Sequence, residues 1–303
     1  MKTIVATQPA DRGFVARFGY FVATRYAPLK YVPYCALWVA SVQFVAARSF
    51  GDDAQLSLAG YLRTAAGAFL VLLFMRVVDE WKDLDFDRVH NPDRAFSSGR
   101  VPLSDAPAYL LICATAAVLL QLGQVWQLWL SLIIMAYSVT LLYLERRFPK
   151  FADSMFANIA LSVQLKTMLI AYVIIGVLRA RPHGWSAAFV VIAAYLASYL
   201  HWEILRKIQW PSVAKSGDRL YSTEAGVVGS FSIVVTLQLF AAFGVSSVLA
   251  HSTFWNWILP LAALVPAAWQ LHRRRERRVA LGGFGLVGYL GFLLLNLATS
   301  AFG

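Results

Sequence analysis

RVVDEWKDLDFDRVHNPDR, residues 76–94, follows the apolar run GAFLVLLF (residues 67–74) and precedes a second one, YLLICATAAVLL (residues 109–120). Asp79, Glu80, Asp83, Asp85 and Asp87 crowd into the point where the first run ends. On a helix that continues from that run, Asp79, Asp83 and Asp87 stand at i, i+4 and i+8. Glu80, Asp83 and Asp87 stand at i, i+3 and i+7, so these four share one face and Asp85 leaves it. Like charges at such spacing repel by about a few tenths of a kcal/mol per pair. A hard divalent cation offsets this; Mg²⁺ takes one or two carboxylates and completes its shell with water or phosphate oxygens. A solvated loop of mixed charge needs no such spacing.

The rest of the chain says where this acidic face sits. Of 303 residues, 59% are hydrophobic and 14% charged, with a mean hydropathy of +0.60. Soluble domains average about 45–50% and 25%. The composition predicts an all-α, polytopic membrane protein. The net charge of +11 is then read as positive-inside loops and not as a nucleic-acid surface. Cys35 and Cys113 lie in apolar segments without metal or disulfide spacing and read as core or lipid-facing fillers.

Nine segments are long and apolar enough to span: Tyr31–Ala47, Ser57–Val78, Asp105–Gly123, Gln124–Leu144, Ser154–Ile175, Trp185–Leu205, Val227–Leu249, Phe254–Leu271 and Leu281–Ala301. The preceding stretch mixes arginines and aromatics, as an interfacial amphipathic segment does, and lacks the pattern of a signal peptide. Most of the 27 Lys and Arg fall in the N-terminal segment and in 76–104, 145–152, 206–219 and 271–280. Arg48, Arg63, Arg179 and Arg181 fall at the opposite helix ends, and Lys166 lies inside a span. This asymmetry predicts a cytoplasmic N-terminus and a cytoplasmic acidic face, with the plasma (inner) membrane as the expected location. Acidic span ends at Asp79 and Glu203, span starts at Tyr31 and Ser154, and basic clusters after spans 4 and 8 recur at an offset of roughly 125 residues. One membrane-embedded domain, 1–303, is therefore expected to comprise a first four-helix unit (31–144), a second (154–271) and an extra helix (281–301).

Asp79-Glu80-x-x-Asp83-x-x-x-Asp87 resembles the N/D-D-x-x-D-x-x-x-D motif of the UbiA superfamily of intramembrane prenyltransferases. NPDRAFSSGRV resembles that family's N-P-x-R-P-x-x-x-G-x-I segment through Asn91, Pro92, Arg94, Gly99 and Arg100, with Ala95 in place of the usual proline. YLERR (residues 143–147) resembles the tyrosine and basic pair that end span 4, and Asn158 falls where the family has an asparagine in span 5. The resemblance covers essentially the whole chain. It implies about nine helices around a central cavity, a polyprenyl diphosphate entering from the bilayer, and Mg²⁺ bridging its diphosphate to two acidic motifs. Ionisation would give an allylic cation captured by a lipophilic, aromatic-type acceptor.

The second motif departs from the family pattern. Glu203 fits its first acid, but Lys207 stands four residues on, and the next acid is Asp218. Glu203 holds the metal alone, or Asp218 folds back to join it. Arg206 and Lys207 either contact the diphosphate or, with Lys215 and Arg219, anchor the helix end. Gly217, Tyr221 and Ser222 resemble the family's lead into span 7. The expected metal ligands are thus Asp79, Glu80, Asp83, Asp87, Glu203 and Asp218. Expected diphosphate contacts are Arg76, Arg94, Arg146, Arg147, Arg206 and Lys207. Asp79, Asp83, Asp87, Glu203 and Lys166 carry the catalytic expectation, since an isolated mid-span charge faces a cavity or a partner. Asn158 and Gln164 can hydrogen-bond an acceptor or neighbouring helices. His201 reads as a packed histidine and Arg273–Arg278 as an orientation anchor. The same ionisation without an acceptor would make a terpene cyclase. A cation-binding permease fits less well, because transported-ion sites lie near the bilayer midplane.

Overall fold

A computed structural model of the protein describes residues 13–51, 54–148, 154–178, 185–214, 218–249 and 255–302. Arg179, Arg181, Lys215 and Gly217, named above, lie outside the described residues. The described chain is helical, with no strand longer than the isolated Ala54–Leu178 bridge. In order, the helices are α1 Phe14–Arg25, α2 Pro28–Phe50, α3 Leu58–Lys82, α4 Leu84–His90, α5 Ala106–Leu120 and α6 Val125–Arg147. Then follow α7 Met155–Ile175, α8 Trp185–Leu205, α9 Ser222–Val248, α10 Trp255–Ala262, α11 Leu264–Arg273 and α12 Gly282–Phe302.

Eight of these, α2, α3, α5 with the turn before it, α6, α7, α8, α9 and α12, are long and apolar enough to cross a membrane. They make the chain an integral, multi-pass membrane protein. Within the ninth expected span, Phe254–Leu271, the described residues form two short helices of 8 and 10 residues. Pro266 explains the break. It has no N–H to offer the Ala262 carbonyl, and its ring collides with that carbonyl. The helix accordingly stops at Ala262 and restarts at Leu264.

The chain divides into two compact units, Met1–Ala36 with Ala65–Phe148, and Leu37–Thr64 with Pro149–Gly303. In the first, the Phe14, Phe18 and Phe21 rings of α1 gather on Tyr109 of α5 at centroid distances of 5.4, 4.7 and 5.6 Å. Arg17 adds a two-pronged bond to Asp105, 2.6 and 3.1 Å. The expected interfacial segment is therefore a helix docked through an aromatic face and a fork-shaped ion pair.

In the second unit, α8 packs against α7, α9 and α12. Small residues allow it: a Cβ on Gly244 of α9 would lie 3.0 Å from the Ala194 Cβ, and one on Gly285 of α12 would lie 3.1 Å from Trp202. Below this contact Ile204, Leu205 and Ile208 join Val227, Leu264, Ala267, Leu271 and Leu281 in one buried cluster. Glu224 fastens the start of α7. It accepts from the Ser154 hydroxyl (3.1 Å), from the Met155 amide and from the Phe156 amide (3.5 Å), a carboxylate at a helix N-terminus where the dipole favours it. Two residues on, Gly226 (φ 71°, ψ 167°) interrupts α9, so the regular span starts at Val227, as the sequence predicts. That backbone region is essentially reserved for glycine. No atom lies within 4 Å of a Cβ built there, so Gly226→Ala is expected to cost backbone strain alone, about 1–3 kcal/mol. A thermal unfolding series in detergent checks it; an unchanged midpoint would show that the kink is not required.

Candidate functional site

The acidic face ends α3 and turns into α4. Backbone bonds Asp83 N to Asp79 O (2.9 Å), Asp87 N to Asp83 O (2.8 Å) and Asn91 N to Asp87 O (2.8 Å) carry helical pairing through the bend at Asp83. The i, i+4 register therefore survives, and the side chains divide by environment. The Asp85 side chain is 95% exposed and only reaches Arg88, whereas Glu80 is 1% and Asp87 2% exposed. Asp79 is half-exposed, 3.8 Å from Lys82, and Asp83 is partly buried.

Glu80 and Asp87 are buried because arginines reach them. Arg76, one turn before Glu80, places a guanidinium nitrogen 2.9 Å from its Oε1. Arg25 of α1 donates to the same oxygen, and Arg94 lies 3.9 Å away. Arg94 also donates to Asp87 Oδ2 at 2.5 Å, while the Asn91 amide donates to Oδ1 at 2.8 Å. The NPDR segment thus folds back on the acidic face that precedes it. A residual positive charge follows from three arginines on two carboxylates. Arg25 Nε and Arg76 Nε are buried with no hydrogen-bond partner among the described residues. Beside this cluster, buried Glu145 accepts from Lys82 Nζ at 3.2 Å. Arg146 lies over the Trp81 ring (5.7 Å) and donates to the Trp81 carbonyl (3.3 Å). Arg147 turns to Phe148, 5.9 Å from its ring.

The second-motif residues gather in the other unit. Glu203, at the end of α8, receives both forks of Arg206 (2.7 and 2.8 Å) and lies 2.9 Å from Lys207 Nζ. Lys207 also sits 5.7 Å over the Tyr221 ring. Burial raises the pKa of the Tyr221 phenol, and the Glu203 charge raises it further, which keeps it neutral and able to donate. Asp218 pairs with Arg278. Lys166 lies 5.0 Å over the Tyr199 ring, a cation–π contact that lessens the cost of a charge at mid-span. Asn158 is half-buried near the start of α7 and Gln164 is exposed. His201 is wholly buried with Nδ1 on the Ser198 carbonyl at 3.3 Å, a packed histidine as expected.

Arg25, Lys82 and Glu145 join the candidate site although the sequence reading gave none of them a role there. Arg25 and Glu145 lie far along the chain from their partners, and only the motifs around Lys82 and Glu145 carried a signal.

Asp79 and Asp83 supply hard carboxylate oxygens one turn apart, whereas the Glu80 and Asp87 oxygens accept from arginine and asparagine. No group of three or more acid, His or Cys side chains is close-set among the described residues. These residues suit an ion that takes one or two carboxylates and shares its shell with a phosphate, and do not form an all-protein cage.

Spans, kink and cluster together define a helical, multi-pass membrane protein whose fold is shared with a solved membrane synthase. The chain is similar to the solved structure of digeranylgeranylglyceryl phosphate synthase, with a TM-score of 0.61 and 16% identity over 94% of this chain and 98% of that one. No protein-family model matches the sequence, and no curated protein matches it.

Proposed function

We propose that the protein is a Mg²⁺-dependent membrane prenyltransferase that ionises a polyprenyl diphosphate and joins the prenyl group to a lipophilic acceptor. The observation that carries this reading is the convergence of Arg25, Arg76 and Arg94 on buried Glu80 and Asp87, beside the half-exposed Asp79. The name of the structural neighbour supports the same reaction class. Asp79 and Asp83 would hold the ion, which when bound neutralises charge developing on the leaving oxygen. Arg25, Arg76 and Arg94 offer positive charge to the diphosphate, and Glu80 and Asp87 keep their guanidinium groups in place. The C1–O bond breaks, the diphosphate departs with the electron pair, and the allylic cation takes electrons from the acceptor, which then loses a proton. Fixed charges aimed at the leaving group supply the stabilisation without reorganisation.

The test is incubation of the purified protein with C10–C20 prenyl diphosphates and Mg²⁺, with and without an acceptor pool of aromatic acids and a prenylglyceryl phosphate. Diphosphate release coupled to a prenylated acceptor is expected. A cyclic terpene formed without acceptor would instead assign a cyclase, and no release from any substrate would overturn both enzymes. Lys207, paired to Glu203 in place of an acid, belongs to the same expectation. Lys207→Ala should raise KM for the prenyl diphosphate and lower kcat/KM by roughly tenfold. Unchanged kinetics would leave Lys207 as a helix-end anchor.

A further inference from the structure

From the exposed arginines of residues 273–278 we infer an anionic-lipid binding surface, which the second unit presents at the end of α11. On α11, Leu264, Ala267 and Leu271 are buried. The opposite face carries Val265 (70% exposed), Trp269 (53%) and Arg273 at i, i+4 and i+8. Over roughly 12 Å of helix this face passes from aliphatic to aromatic to cationic, the order met from acyl chains through the interface to the headgroups. The Arg273 guanidinium lies 4.9 Å over the Trp269 ring, which holds it at that boundary.

The loop beyond is preorganised. The Trp210 indole donates to the Leu271 carbonyl at 2.7 Å, and the Ser212 hydroxyl donates to the Arg275 carbonyl at 2.7 Å. Arg278 donates to the Val213 carbonyl (3.3 Å) and pairs with Asp218. The Gln209 amide closes the loop with bonds to and from the Val279 backbone. Arg275 lies 5.0 Å over Trp210. These ties engage Arg275 and Arg278. Arg274 and Arg277 are exposed without a side-chain partner among the described residues, and the only acid in the run is Glu276. An isolated orientation signal needs charge but no fixed loop; a fixed loop that carries several guanidinium groups beside an exposed tryptophan fits phosphate-bearing lipid headgroups.

The experiment titrates the purified protein in neutral detergent with phosphatidylglycerol or phosphatidylcholine and reads the thermal midpoint. Phosphatidylglycerol is expected to raise the midpoint by several degrees, an effect weakened by salt, and phosphatidylcholine to leave it unmoved. In Arg273→Ala/Arg274→Ala/Arg277→Ala the half-saturating phosphatidylglycerol concentration should rise roughly a hundredfold, about fivefold per arginine. The midpoint without lipid should match the parent, since these side chains are exposed. The triple Arg→Lys variant should retain most of the response. An equal response of parent and Ala variant would overturn the inference, as would equal responses to the two lipids. So would protection by soluble polyglutamate but not by phosphatidylglycerol, which would assign an acidic protein partner. None of these readouts depends on the proposed transferase activity.

Discussion

Asp83→Asn is expected to lower Mg²⁺-dependent turnover by about 10²–10³-fold, because one lost carboxylate of this kind removes a few kcal/mol of transition-state stabilisation. Asp83 is within one helical turn of Asp79, Glu80 and Asp87 alike. Asp85→Asn provides the contrast. Its side chain points away, 95% exposed, so its turnover should stay within about twofold of the parent. The comparison is made at saturating prenyl diphosphate over a Mg²⁺ titration. Asp83→Asn should require more Mg²⁺ as well as turning over more slowly. Equal losses in the two variants would disprove the shared acidic face.

The second large effect falls on stability. Glu80→Gln removes the negative charge on which Arg25, Arg76 and Arg94 converge, leaving three guanidinium groups with the Asp87 carboxylate as their remaining acid in the cluster. Breaking a buried pair by deleting one partner costs about 3–5 kcal/mol. The arginines here are 17–29% exposed, so about 2–3 kcal/mol is expected after solvent screening. The thermal midpoint in detergent should fall by several degrees, and added inorganic pyrophosphate should restore part of it by occupying the vacated charge. A variant as stable as the parent, and no more responsive to pyrophosphate, would show that the arginines do not depend on Glu80.

Much of this protein is legible without coordinates. Hydropathy locates the spans because every backbone polar group in a bilayer must bond within its own helix, leaving apolar runs of fixed length. Gly226 marks the true start of the seventh span, and the sequence reading began it at Val227. What hydropathy did not show is the break in the ninth segment: Pro266 sits in a window apolar enough to span, yet removes the one bond a continuous helix requires there.

The carboxylate register is also a sequence property. The spacing of Asp79, Glu80, Asp83 and Asp87 predicts their common face, and the exclusion of Asp85 follows from the same arithmetic. Chemical role within that face is another matter. Four carboxylates that look equivalent in sequence differ once Arg25 arrives from α1, and Arg94 and Asn91 fold back from beyond α4. Asp218, the next acid after Glu203 in the sequence, pairs with Arg278, 60 residues away. Helical periodicity relates residues three and four apart, so the sequence by itself determined the helices, the acidic face and the resemblance they carry. Which acid is buried against arginine and which faces outward depends on contacts between distant segments, and long-range charge pairing has no period to read. Only the tertiary structure decided it.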